Sequence, residues 1–108
     1  AYVANGANDF TDALAEKAFC LAFHNLPIVF ANGDDLAGRA ALHSASCMAG
    51  MAFDAAGLGL NHGLAHAIGG RFHLPHGRIN AMLLPLVVAF NAGMTSAGTP
   101  LLPAAARY

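Results

Sequence analysis

The chain has 108 residues, a length that fits one domain with a single core. Its five lysines and arginines are scattered and its net charge is -1, which excludes the basic surface that nucleic-acid binding requires. The longest uninterrupted apolar stretch, residues 81–90, contains a proline and is far shorter than the roughly 20 residues that cross a bilayer. From that stretch we expect no membrane span.

The balance of polar and apolar residues is unusual for so short a chain. Only 10% of the residues are charged, against roughly 25% in an average soluble domain, and 56% are apolar. Two interpretations remain open: a very well-packed helical protein, or a piece of a larger protein with its interface exposed. We favour the second, because a free-standing domain this small needs more polar surface than this composition supplies. The chain also begins at Ala1 without an initiator methionine or a leader, which we interpret as a truncation.

The first two predicted elements are helices. Asp9 and Thr11 are candidate N-caps of the first, which Pro27 is expected to end or kink. Asp34, placed after an Asn-Gly turn signal, is expected to cap the second. The second helix is predicted over residues 36–56, where many alanines, glycines and serines would let a neighbouring helix approach closely.

Two further helices follow a glycine-rich break. The third carries His62 and His66 and is expected to end at the pair Gly69-Gly70, and the fourth is predicted from about His76 to about Asn91. No segment of useful length alternates apolar with polar residues, so the predicted fold is all-α.

The end of the chain and its two cysteines give weaker signals. Residues 94–100 have loop composition, and residues 104–108 resemble the first turn of a helix that is cut short. Cys20 and Cys47 lie in apolar helical stretches, where a cysteine behaves as a small buried hydrophobe. We expect reduced thiols in a cytoplasmic protein.

Three histidines carry the strongest chemical signal. His62 and His66 are four residues apart, which places them on one face of a helix, and His76 follows a proline that would turn the chain back toward them. This spacing suits a divalent metal. A catalytic zinc-type site uses three protein ligands and an open position, which these three side chains could supply unless one ligand lies elsewhere. His24 and His43 are expected to be ordinary helix histidines, hydrogen-bonded or partly exposed.

Four segments together resemble the iron-containing (group III) alcohol dehydrogenases. They are Phe10–Ala18, Ala49–Phe53, Gly57–His66 and Leu74–Gly77, with the sequences FTDALAEKA, AGMAF, GLGLNHGLAH and LPHG. Within that family, the segments at residues 9–18 and 72–77 most resemble the propanol and ethanol dehydrogenases of bacterial propanediol and ethanolamine utilisation.

The resemblance implies a role for each matching residue. The family binds its catalytic metal, Fe(II) or Zn(II), through an Asp and a His four apart on one helix and through two more histidines, which match His62 and His76. His66 matches a histidine beside the nicotinamide ring of NAD(H) that positions groups or transfers a proton, so it is the expected catalytic and cofactor-binding residue. Phe53 matches an aromatic residue that lines the alcohol pocket and is the expected substrate-binding residue.

The resemblance also implies that much of the enzyme lies outside this chain. In the family the Asp-x-x-x-His pair comes immediately before an Ala-Tyr dipeptide, and this chain begins at Ala1-Tyr2. We therefore expect residues 1–108 to be one fragment of the C-terminal helical metal-binding domain, without the N-terminal nucleotide-binding domain. The intact protein is expected to interconvert short-chain primary alcohols and aldehydes with NAD, and the fragment alone is expected to be inactive.

Partners and location follow the same expectation. We expect a small alcohol or aldehyde substrate, no nucleic acid, no membrane, and a homo-oligomer in the cytoplasm, with a bacterial microcompartment as an option. Two other classes remain open: a small helical metal-binding module, and an inert helical fragment that self-associates through its apolar surface.

Overall fold

A computed structural model describes residues 1–93, and its helices divide between two compact units. The first unit, residues 1–57, holds α1 (Asp9–Ala31) and α2 (Leu36–Ala56). The second unit begins at residue 58 and holds α3 (Leu60–Phe72) and α4 (His76–Asn91). No strand occurs within residues 1–93, and the all-α prediction is confirmed. The expected loop over 94–100 and helical turn over 104–108 lie outside the described residues.

The N-cap of α1 is neither of the two predicted residues, and α1 begins at Asp9. Asn8 is the N-cap, and its side chain accepts hydrogen bonds from the backbone N–H groups of Phe10 and Thr11 at 3.1 and 3.2 Å. The hydroxyl of Thr11 accepts in return from the Asn8 N–H at 2.9 Å, which completes a capping box. The prediction of Asp9 or Thr11 as N-cap was wrong, because a cap residue must precede the helix and Thr11 acts as its reciprocal partner.

Pro27 was expected to end or kink the first helix, and the first of these alternatives is wrong. α1 continues through Pro27 to Ala31. Proline removes one backbone hydrogen bond, to the carbonyl of Phe23 four residues earlier. Pro27 and Phe23 are both exposed, so water can solvate the freed carbonyl.

α2 spans the predicted residues, but its cap is Asp35 rather than Asp34. The Asp35 carboxylate accepts a hydrogen bond from the backbone N–H of Gly38, the third residue of the helix, at 3.2 Å. Asp34 lies one residue further from the helix start and is not the cap. Gly38 is buried, and a Cβ added to it would lie 2.7 Å from Cγ2 of Val29 on α1. This contact confirms that a small residue in α2 permits close approach of its neighbour.

α3 runs through the glycine pair that was expected to end it. It continues to Phe72, and the C-cap is His73, the one non-glycine residue within 1–93 with a positive φ, of 52°. Both glycines are helical, and at Gly69 a Cβ would lie 3.3 Å from Cδ1 of Ile79 on α4, so the two helices approach closely there. α4 has the predicted bounds and contains Pro85.

Most buried side chains in the described residues are small, and many large apolar side chains are exposed to solvent. The buried apolar residues within 1–93 are mostly alanines, joined in the second unit by Ile79 and Val87. On α1 the side chains of Phe19 and Phe23 are each 68% exposed, and their rings stack at 5.8 Å. Cys20 and Cys47 are free thiols, as expected, but both are exposed, so the prediction of burial was wrong.

By length and composition alone, α1 is apolar enough to cross a membrane. Its mean hydropathy over the most apolar 18-residue window reaches 1.2. The expectation of no span considered only residues 81–90 and overlooked this helix. A single helix of this kind is weak evidence for a span, since a core helix of a soluble protein has the same length and composition.

Candidate metal centre

Three imidazole rings converge in the second unit. His62 and His66 lie one turn apart on α3, and their ring centroids are 6.0 Å apart. His76, the first residue of α4, brings its ring to 5.3 Å from that of His62 and 5.1 Å from that of His66. The prediction that the chain turns back after Pro75 and carries His76 toward the other two is confirmed.

The local sequence explains how His76 reaches this position. Three residues, 73–75, connect α3 to α4, and the left-handed conformation of His73 ends α3 abruptly. Pro75 then serves as the N-cap residue of α4, with φ of -58°. The fixed φ of proline suits the start of a helix, so His76 enters α4 directly after the turn.

The three rings differ in their surroundings. His62 is half-buried, whereas His66 and His76 are exposed. Burial lowers the pKa of His62 below its ordinary value, and the neighbouring His76 and His66 lower it further because two positive rings would repel. His62 is therefore biased toward the neutral form, which is the form that binds metals.

The separation of His62 and His76 fits a shared ion. Two imidazoles bound to one tetrahedral ion have ring centroids roughly 5 Å apart, given metal–nitrogen distances of about 2.1 Å. Among residues 1–93, however, no three His, Cys, Asp or Glu side chains are arranged to hold an ion by themselves. The described chain thus offers imidazole donors for part of a metal site.

Two asparagines extend the histidine group, and the sequence reasoning missed both. Nδ2 of Asn80 lies 2.9 Å from Nε2 of His76 and donates to the backbone carbonyl of His76 at 3.0 Å. Nδ2 of Asn61 donates to Oδ1 and to the backbone carbonyl of Asn80, at 2.7 and 3.2 Å. One signal was available: Asn80 follows His76 by four residues, a spacing that places both on one helix face.

The remaining predicted residues lie in the first unit. Phe53 is on α2, and its side chain is 43% exposed. His24 is exposed on α1, with Nδ1 2.7 Å from the carbonyl of Cys20, and His43 is exposed on α2. These two fit the prediction of ordinary helix histidines.

Comparison with known proteins places these features in a family. Residues 1–103 match the Fe-containing alcohol dehydrogenase family, C-terminal. The chain is 59% identical over 92 residues to the 1-propanol dehydrogenase PduQ of Citrobacter freundii, which covers 85% of this chain and 25% of that protein.

Two further relatives have related names. The probable alcohol dehydrogenase EutG of Salmonella typhimurium is 53% identical over 91 residues, or 84% of this chain and 23% of that protein. The NAD-dependent methanol dehydrogenase of Bacillus methanolicus is 47% identical over 91 residues, or 84% of this chain and 24% of that protein. The chain therefore spans about a quarter of the length of these curated relatives.

Proposed function

The chain belongs to the Fe-containing alcohol dehydrogenase family, as its motifs predicted, and from this we propose that it is part of a metal- and NAD-dependent alcohol dehydrogenase. The proposed reaction is the interconversion of short-chain primary alcohols and aldehydes. The names of the relatives support this substrate class, since they include a 1-propanol and a methanol dehydrogenase. The similarity to PduQ and EutG supports a role in propanediol or ethanolamine utilisation, in the cytoplasm or a bacterial microcompartment.

We propose that residues 1–108 form a segment of the C-terminal helical domain of that enzyme, which also contains a nucleotide-binding domain. Two observations support the proposal that the chain is a segment of a larger enzyme. The chain spans about a quarter of its relatives, and Phe19, Phe23 and Phe30 are exposed by 68%, 68% and 91%. Exposed apolar patches of this kind mark interfaces, so further parts of the enzyme, or a second subunit of a homo-oligomer, would cover them.

The observation that carries the proposal is the 5.3 Å separation of the His62 and His76 rings, which come from two different helices. These two residues are proposed as metal ligands, with an Asp and a His of the longer protein completing the site. Imidazole and carboxylate donors suit both Fe(II) and Zn(II). Bound there, the ion would act as a Lewis acid on the oxygen of the alcohol or aldehyde.

His66 and Phe53 are assigned to the organic reactants. His66 is exposed, and its ring centroid is 5.1 Å from that of His76, so it can meet a nicotinamide that lies next to the metal site. Its proposed role is to position the cofactor or to transfer a proton. Phe53 would contribute an apolar wall that holds the alcohol and excludes water.

The proposal is tested with the purified full-length protein. We expect ethanol or 1-propanol to reduce NAD⁺, chelation to abolish this turnover, and added Fe²⁺ or Zn²⁺ to restore it. A full-length protein that carries metal but oxidises no primary alcohol with NAD⁺ would contradict the proposal.

One observation also supports a second candidate, a helical metal-binding module, because the three imidazoles all lie within residues 62–76. Stoichiometric Zn²⁺ binding by residues 1–108 alone would favour this candidate. The dehydrogenase remains the better proposal, since no three donor side chains within residues 1–93 complete a site.

A further inference from the structure

Asn61, Asn80 and His76 form a chain of hydrogen bonds that the proposed function does not use. Asn61 donates to Asn80 at 2.7 Å, and the Nδ2 atom of Asn80 lies 2.9 Å from Nε2 of His76. The first bond joins α3 to α4 across a separation of 19 residues, and the second lies within the first turns of α4.

Backbone carbonyls fix the orientation of both side-chain amides. A carbonyl oxygen can only accept a hydrogen bond. The carbonyl of His76, 3.0 Å from Nδ2 of Asn80, therefore requires the nitrogen of that amide on the His76 side. The carbonyl of Asn80 likewise requires the nitrogen of Asn61, since the opposite orientation would set an amide oxygen against two acceptors.

This orientation selects one tautomer of the neutral His76 ring. Because Asn80 presents an N–H group to Nε2, that nitrogen must accept and cannot itself carry hydrogen. The proton of the neutral imidazole then lies on Nδ1. Nε2 is left as the nitrogen with a lone pair, and this lone pair is engaged by Asn80.

We propose that the amide of Asn80, held in place by Asn61, competes with a divalent cation for Nε2 of His76. The inference rests on the proposed role of His76 as a metal ligand. One lone pair can bind either the amide N–H or the ion, so binding of the ion requires Asn80 to release the ring. Asn80 therefore stabilises the metal-free protein and weakens metal binding by the strength of one hydrogen bond.

The test measures Zn²⁺ affinity of the metal-stripped full-length protein by competition with a chromophoric chelator. Asn80→Leu, which keeps the shape but removes the donor, is expected to bind Zn²⁺ roughly two- to tenfold more tightly. Asn25→Leu is the matched control, because Asn25 also donates to a carbonyl four residues earlier, that of Leu21 at 2.8 Å. The control is expected to leave the affinity unchanged, and unchanged or weaker binding by Asn80→Leu would overturn the proposal.

A second measurement does not require the variant to fold. In the metal-stripped wild-type protein labelled with ¹⁵N-histidine, the ring shifts of His76 are expected to show hydrogen on Nδ1 and an unprotonated Nε2. Hydrogen on Nε2 would overturn the proposal.

Asn61→Leu, which frees the amide of Asn80, is expected to tighten Zn²⁺ binding less than Asn80→Leu does.

His76→Ala separates the two possible failures. If it binds Zn²⁺ as tightly as wild type does, His76 is not a ligand, and the proposed ligand role of His76 fails together with this inference. If His76→Ala loses Zn²⁺ while Asn80→Leu binds no more tightly than wild type, only the competition by Asn80 is refuted.

Discussion

The rings of His62 and His76 lie 5.3 Å apart although the two residues are 14 positions apart in sequence. Their proximity depends on how closely α3 and α4 pack. Gly69 is part of that packing, because its Cα lies so near Ile79 that a Cβ would be 3.3 Å from Cδ1 of Ile79. We therefore expect the proposed metal site to be coupled to this helix contact.

Gly69→Val tests that coupling. The added side chain would push α4 away from α3, at a cost of about 1–3 kcal/mol in the free energy of unfolding, and would separate His76 from His62. We expect a lower melting temperature and a lower metal content of the full-length protein. Gly70→Val is the control, since a Cβ at Gly70 meets nothing within 4 Å. Equal metal loss in both variants would show that helix propensity, rather than packing, is responsible.

Gly38→Ala tests the contact between α1 and α2. A Cβ at Gly38 would lie 2.7 Å from Cγ2 of Val29 and 2.6 Å from Oδ2 of Asp35, the residue that caps α2. Val29 is stiff about its first torsion angle, so we expect a destabilisation of about 1–3 kcal/mol, measured by urea unfolding.

Gly50→Ala is the matched control for that substitution. Gly50 lies within the same helix, and a Cβ there meets nothing within 4 Å. Alanine is expected to stabilise this position by up to about 1 kcal/mol through helix propensity. A stabilising Gly38→Ala would show that α1 and α2 approach less closely than described.

His66→Ala separates catalysis from metal binding. If His66 serves the cofactor, the full-length variant keeps its metal and loses turnover by roughly 10²- to 10⁴-fold, the usual contribution of a proton-transfer group. Metal content by elemental analysis and the rate of NAD⁺ reduction would be compared with those of His43→Ala. Loss of the metal would instead make His66 a third ligand, as the histidine spacing alone allows.

The pKa of His62 should respond to its neighbour. Burial is the larger cause of its lowered pKa, and repulsion from His76 adds to it. In NMR titrations of metal-stripped protein we expect His62 to titrate below the ordinary histidine value of about 6.5, and His76→Ala to raise its pKa part of the way back. An unchanged pKa in the variant would mean that the two rings do not interact.

The same lowered pKa has a consequence for stability. The unfolded chain binds this proton more tightly than the folded protein does, so the contribution of His62 to folding is fully present above about pH 6.5. It is lost as the pH falls through the lower pKa of the folded state. Unfolding of metal-stripped protein at several pH values should show this loss, and it should be smaller in His62→Gln.

The sequence predicted the helices better than their ends. The bounds of α2 and α4 agree with the structure, because glycine, proline and polar residues flank two strongly apolar segments. A helix end predicted from Pro27 or from the pair Gly69-Gly70 was wrong, because α1 and α3 continue through these residues. Proline and glycine disfavour a helix locally but do not always end it. The close approach of Ile79 to Gly69, where a Cβ would lie 3.3 Å from Cδ1 of Ile79, is a tertiary effect that local sequence does not reveal.

The candidate site was predictable only in part. The spacing of His62, His66 and His76 indicated a metal, and the proline before His76 indicated the turn that brings it close. The bond between Asn61 and Asn80 joins two helices, so it depends on their packing and could not be derived from spacing. Exposure of Cys20 and Cys47 was also missed, because an apolar sequence context does not determine which helix face is covered.

The role of His76 as a metal ligand is tested most directly by the metal content of the full-length His76→Ala protein, measured by elemental analysis beside wild type and His43→Ala. We expect wild type and His43→Ala to retain one Fe or Zn ion per subunit, and His76→Ala to lose both the ion and alcohol-dependent NAD⁺ reduction. A His76→Ala protein that keeps stoichiometric metal and turnover would contradict the assignment of His76 as a ligand.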